Sequence, residues 1–214
     1  FGLAPRPLLL IPGGQKSKDV RSLHAKDRGI GPRFAEAIAA SLDSGYSIRN
    51  INLADNRIGL KGCRLLANAL GGGSLVSLDL SGNHLGPQSS KPLIHVLRNN
   101  PKLSWLNVGA NELGNACVRE IVQTAVDCAL PLVHLNLSKN NVSSVGAVAV
   151  GKLLPILKSL QLLDLSWNGI NGRGAQTLIS SVTKAIPGNR LEEVHLGWNA
   201  AGLCSAIEGL ARAL

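Results

Sequence analysis

Along this chain the apolar positions fall into a phrase of fixed shape: apolar, two variable residues, apolar, one variable, apolar, two variable, Asn, one variable, apolar. Leu75, Leu78, Leu80, Asn83 and Leu85 give a clean copy. Others are Ile48, Ile51, Leu53, Asn56 and Ile58; Leu103, Leu106, Val108, Asn111 and Leu113; and Leu132, Leu135, Leu137, Asn140 and Val142. Leu160, Leu163, Leu165, Asn168 and Ile170 follow, then Leu191, Val194, Leu196, Asn199 and Ala201. A degenerate first copy uses Val20, Leu23, Ala25 and Ile30, with Arg28 where Asn stands elsewhere. The seven copies begin at 20, 48, 75, 103, 132, 160 and 191, a period of 27 to 31 residues.

The alternation at the fourth and sixth positions predicts a short strand with one buried face. Asn at the ninth turns the chain, and its side-chain amide can satisfy backbone groups in the loop. The rest of each copy has helical spacing, as in Val145–Leu154. Small residues align in the first helical turn (Ala35, Cys63, Ser90, Val118, Ala147, Ala175, Ala206), and larger ones follow a turn later (Ile38, Leu66, Leu93, Ile121, Val150, Leu178). No copy can bury its apolar side alone, so the copies must stack. The expected fold is an α/β solenoid of about seven repeats, a horseshoe with parallel strands on the concave face and helices on the convex one. The repeats fill residues 20–214, and the array is expected to continue beyond 214, since the last helix ends without a polar cap. Residues 1–19, with Pro5, Pro7, Pro12, Gly13 and Gly14, read as an extended arm or linker.

Between the core positions of each strand lie two outward columns. One is wholly polar: His24, Asn52, Asp79, Asn107, Asn136, Asp164 and His195. The other is Ser22, Asn50, Ser77, Trp105, His134, Leu162 and Glu193. Just before the Asn turn stand Asp27, Asp55, Gly82, Ala110, Lys139, Trp167 and Trp198. All three tryptophans thus map to the exposed side, and Trp is enriched among binding hot spots. The expected partner-binding set is Trp105, His134, Trp167, Trp198, Asn107, Asn136, Asp164 and Glu193. For Trp167 and Trp198 the competing reading is mutual stacking that stiffens adjacent turns. Trp105 has no second tryptophan beside it and is the stronger binding candidate, with His134 next to it.

Composition sharpens this picture. Hydrophobic residues make up 45% of the 214 and aromatics only 3%, which suits many thin aliphatic layers rather than one thick core. The net charge of +9 favours partners with acidic surfaces. Residues 1–33 hold seven basic residues against Asp19 and Asp27, and Arg6, Lys16, Lys18 and Arg21 mark a candidate basic arm. Cys63, Cys117, Cys128 and Cys204 form neither a CxxC pair nor a zinc spacing, and most read as small core residues. No apolar run approaches a membrane span. Gly71-Gly72-Gly73 leads into Ser74 rather than a phosphate-loop Lys, and neither GxSxG nor HExxH occurs. Neither catalytic residues nor cofactor or metal sites are expected, and nucleic-acid binding lacks an aromatic–basic motif to support it.

The period near 28, with a full helix and the phrase Gly-small-x-x-Leu (Gly62-Cys63, Gly146-Ala147, Gly174-Ala175), resembles the ribonuclease-inhibitor-like subfamily of leucine-rich repeats. Leu163–Asn168 and Leu196–Asn199 are most similar to repeat proteins of cilia and axonemes. The resemblance implies a non-enzymatic protein–protein interaction scaffold. It further implies a cytoplasmic structural subunit of a larger ciliary, axonemal or cytoskeletal assembly, with acidic partners such as tubulin. Two alternatives come with it: a GTPase-activating protein of the Ran type, and the sensor repeat array of a NOD-like receptor.

Overall fold

A computed structural model describes residues 21–199 apart from 30, 43–47, 186, 187 and 189. Seven strands of three residues each occupy the outward-inward-outward triplets that the alternation marks: β1 Ser22–His24, β2 Asn50–Asn52, β3 Ser77–Asp79, β4 Trp105–Asn107, β5 His134–Asn136, β6 Leu162–Asp164 and β7 Glu193–His195. Six helices follow them: α1 Gly31–Leu42, α2 Gly59–Ala69, α3 Ser90–Asn99, α4 Gly114–Asp127, α5 Ser144–Leu153 and α6 Gly172–Ala185. The strands form one parallel sheet in sequence order. Neighbouring strands pair without slippage, Ser77 with Trp105 and Trp105 with His134, Asp79 with Asn107 and Asn107 with Asn136. Each sequence column is therefore a physical row across the sheet. Strands need about 4.8 Å per repeat and helices about 8–10 Å, so the stack curves with its helices outside.

The core runs the length of the stack as rows of one residue type. Leu78, Leu106, Leu135 and Leu163 are buried on the strands, and Leu66, Leu93, Ile121, Val150 and Leu178 meet them from the helices. Ala35, Cys63, Val118, Ala147 and Ala175 are buried as the small column requires. Its third member differs. Ser89 is fully buried and donates to the Leu85 carbonyl at 2.6 Å, while Ser90 is only partly covered. A short 3₁₀ turn, Pro87–Ser89, leads into α3 and shifts the helical phase by one residue. Burial pushes the thiols of Cys63 and Cys117 up to about 12, so both stay protonated. Val20, Ile30, Cys204 and the proposed arm 1–19 lie outside the described residues.

The Asn of each phrase closes the loop as its chemistry allows. Asn111 donates through Nδ2 to the carbonyls of Val108 and Gly109 in its own repeat and of Leu80 in the preceding one. Its Oδ1 accepts from the N–H groups of Asn83 and Leu85. Asn56, Asn83, Asn140 and Asn168 are buried in the same role. In the first repeat Arg28 replaces Asn, and its N–H donates to Asn56 Oδ1 at 2.9 Å. Asn100, outside the phrase, is also buried. It bonds the Leu70 and Val96 carbonyls and accepts from Leu75 N–H, tying α3 to the strand loops.

Candidate functional site

The polar column on the concave face owes much of its character to local turn chemistry. Asn52, Asp79, Asn107, Asn136 and Asp164 each accept from the backbone N–H two residues on, at 2.8–3.1 Å. These are Asx turns, and they redirect the chain from strand to Asn loop. Asn107, Asn136 and Asp164 therefore commit one side-chain oxygen to the fold and present what remains to the concave space. His195 instead pairs with Glu193 at 3.0 Å, both side chains about half exposed.

The second column is where the aromatic surface gathers. Trp105 on β4 and His134 on β5 lie in direct register, and their rings stack at 4.7 Å between centroids and 13° between planes. Leu162 follows on β6. All three are partly exposed. The result is a strip of indole, imidazole and isobutyl groups across three strands, flanked by Asp79 and Asp164. Trp105 has no second tryptophan beside it, as the sequence indicates, and the adjacent His134 supplies its stacking partner.

The remaining tryptophans build a second array on the rim. Trp167 and Trp198 stack at 4.5 Å and 14°, and the ammonium of Lys139 lies 4.7 Å from the Trp167 ring centroid. Stacking, one of the two readings of this pair, is thus present, and it leaves Trp198 74% and Trp167 48% exposed. Their backbones hold φ of +57° and +56°. Every other member of the row shares this left-handed geometry, from Asp27 to Lys139. For a bulky side chain that region is unfavourable. It persists because the ladder fixes it: Trp167 N–H donates to the Gly197 carbonyl at 2.9 Å. Gly82 and Ala110 hold the equivalent positions in other repeats with the same geometry, so the backbone itself does not call for an indole there.

Burial among these groups holds the His134 imidazole below its ordinary pKa of 6.5, while Asp164 and Asp79 oppose the shift. Its neutral form is therefore favoured in the folded state. The stability that follows is complete above pH 6.5 and is lost as pH falls through the folded pKa, because the unfolded chain then binds the proton more readily. An NMR titration of the His134 ring should give a midpoint below 6.5, and thermal stability should decline less on acidification in a His134→Gln variant. A midpoint at or above 6.5 contradicts the buried stack.

The convex side carries the positive charge. Helices α2 to α6 expose Lys61, Arg64, Lys91, Arg98, Arg119, Lys152, Arg173 and Lys184 against only Glu120 and Asp127, a net +6. Reading charge along the chain missed this, since the residues are spread singly or in pairs over five helices. Of the proposed basic arm, Arg6, Lys16 and Lys18 lie outside the described residues. Arg21 precedes β1, and its carbonyl accepts from Arg49 and Asn50. Among the described residues no cluster of His, Cys, Asp and Glu is arranged to hold a metal ion, and no helix is long and apolar enough to cross a membrane.

Comparison with known proteins gives a consistent picture. A leucine-rich repeat family model matches residues 74–89, 130–151 and 157–178. Ribonuclease inhibitor of Sus scrofa is 30% identical over 83% of this chain and 39% of its own length. NACHT, LRR and PYD domains-containing protein 12 of Mus musculus is 26% identical over 74% of the chain and 21% of its own length. Tonsoku-like protein of Bos taurus is 30% identical over 70% of the chain and 11% of its own length. The chain thus spans well under half of each of these relatives.

Proposed function

Because this chain is a leucine-rich-repeat protein of the ribonuclease-inhibitor-like kind, we propose that it works without catalysis, as a protein-binding scaffold that engages its partner through β4–β7. The observation that carries this reading is the pair of aromatic arrays, Trp105–His134 on the concave face and Lys139–Trp167–Trp198 on the rim. Large rigid rings give contact area at little cost in side-chain entropy, and a fixed stack is already arranged for binding. The polar turn residues around them act as the rim that positions a partner rather than as the main energy source.

The test compares this chain with a Trp105→Ala, Trp167→Ala, Trp198→Ala variant in affinity capture from cell extract, with circular dichroism to check both folds. A discrete partner held by the parent and lost by the variant supports the scaffold. Equal capture by two folded proteins removes the aromatic arrays from the binding surface. The finer proposal, a subunit of a ciliary or cytoskeletal assembly with acidic partners such as tubulin, rests on the Leu163–Asn168 and Leu196–Asn199 phrases and on the positive charge. Co-sedimentation with microtubules at rising salt tests it. A second reading, a segment of a receptor's sensor array, is favoured by the similarity to the NACHT, LRR and PYD domains-containing protein. A nucleotide-binding domain encoded beside this segment supports that reading, and its absence from the complete coding sequence rejects it.

A further inference from the structure

A helix on the outside of a solenoid normally turns a polar face to water. α3, α4 and α6 do so with Lys91 and Arg98, Arg119 and Gln123, Arg173 and Gln176, all exposed. α5, Ser-Val-Gly-Ala-Val-Ala-Val-Gly-Lys-Leu, does not. Val145 is 73% exposed at its start, Ile156 is 55% exposed in the turn after its end, and Val148, Ala149 and Leu153 are only partly covered between them. Val145, Val148, Ala149 and Leu153 line a groove between α4 and α5 whose walls also include Arg119 and Gln123 on the α4 side and Lys152 on the α5 side. Among the described residues no carboxylate lines it. Asp127, a turn beyond Gln123, accepts a 2.7 Å bond from the Gln123 amide, and Glu120 is the other acidic group on α4.

We propose that this groove docks an acidic amphipathic segment of a partner protein, with apolar side chains between α4 and α5 and carboxylates on Arg119 and Lys152. Charge complementarity selects the occupant. The groove's own walls hold two cations, Arg119 and Lys152, and among the described residues no carboxylate, so a second copy of this chain would set the same two cations against themselves. An apolar floor between two cations matches a segment with apolar residues at i, i+3 or i+4 and acidic neighbours, the helix-in-groove mode of recognition. Phosphate backbones would use the cations and leave Val145, Val148 and Leu153 uncovered. The surface is separate from the aromatic arrays, which lie on the strands and their turns, so it does not rest on the function proposed above.

A display library of randomised 16-residue segments, selected on the immobilised chain, tests the proposal, with selected peptides then titrated by fluorescence anisotropy. The expected winners are rich in Asp and Glu around apolar residues at helical spacing. Val145→Asp should weaken them by about tenfold or more, since one lost apolar contact plus a like charge exceeds 1.4 kcal/mol. The Arg119→Glu, Lys152→Glu pair should do the same, and the triple Trp→Ala variant should change nothing. All substituted positions on this face are exposed, and thermal melts confirm that each variant is folded. Neutral or basic winners overturn the proposal, as does binding that survives both groove variants or falls with the tryptophans. So does a chain that takes up RNA or phosphatidylserine vesicles in a way that depends on Arg119 and Lys152 but ignores Val145→Asp, while no acidic peptide is selected.

Discussion

Asn111→Ala is expected to remove about 3–5 kcal/mol of stability, read as a fall in the urea midpoint. The side chain is fully buried. Its loss leaves the N–H groups of Asn83 and Leu85 without the acceptor that Oδ1 supplies at 2.9 and 3.4 Å. Each buried donor left unmade costs about 1–3 kcal/mol. The three carbonyls that Nδ2 serves lose less. Leu80 O also receives Asn83 Nδ2, and Val108 O also receives Asn140 Nδ2, both at 2.9 Å. The loss is thus mostly on the accepting side of the amide, and Asn111→Asp separates the two halves. Aspartate keeps the acceptor but turns a carboxylate toward three carbonyl oxygens in a buried site. It should be at least as damaging as alanine at neutral pH and recover when acidification protonates it. Asn199→Ala should cost less than half as much, because Asn199 is partly exposed and, among the described residues, its Oδ1 accepts from Ile170 N–H. A loss below about 1 kcal/mol at Asn111 would mean that the loop rearranges to satisfy itself, against the rigidity implied by the continuous row of amides.

The same residue shows why so much of this fold was legible in the sequence. In a stack of near-identical layers, position within the phrase fixes position in space. The phrase therefore carries the strand triplets, the sheet register and the buried amide row. What depends on local departures from the average layer was not legible. The 3₁₀ turn at Pro87 moves the buried small residue from Ser90 to Ser89. The concave polar column reads as a binding ladder until the Asx turns show that five of its members hold the backbone. Side-chain rotamers decide how neighbours within a row touch, so the Trp105–His134 stack followed only from the geometry, although their adjacency did not. The basic convex face is invisible to a count of charge along the chain and emerges only when charge is counted down the helices.

Glycine at the start of the outer helices is the other point where one residue governs the stacking. Gly174→Ala is expected to destabilise the protein by about 1–3 kcal/mol, although alanine in a helix is ordinarily better than glycine by about 0.5–1 kcal/mol. The sign reverses because a Cβ at Gly174 would lie 2.6 Å from the Ser144 backbone, at its α-carbon on the facing end of α5. A backbone atom cannot turn aside as a flexible side chain can, so α6 must move away from α5. That movement opens the layer beneath β6, which carries Leu162 and leads into the turn of Trp167. Removing the facing side chain tests whether the backbone is the obstacle. Ser144→Gly in the Gly174→Ala background should recover less than half of the loss, since the clash with the backbone persists. Full recovery would place the clash in the Ser144 side chain. The thermodynamic cycle of the two changes measures their coupling directly, and a Gly174→Ala protein as stable as the parent would show that α5 and α6 can separate freely, so that the close approach of these helices does not hold the two rim tryptophans in their stack.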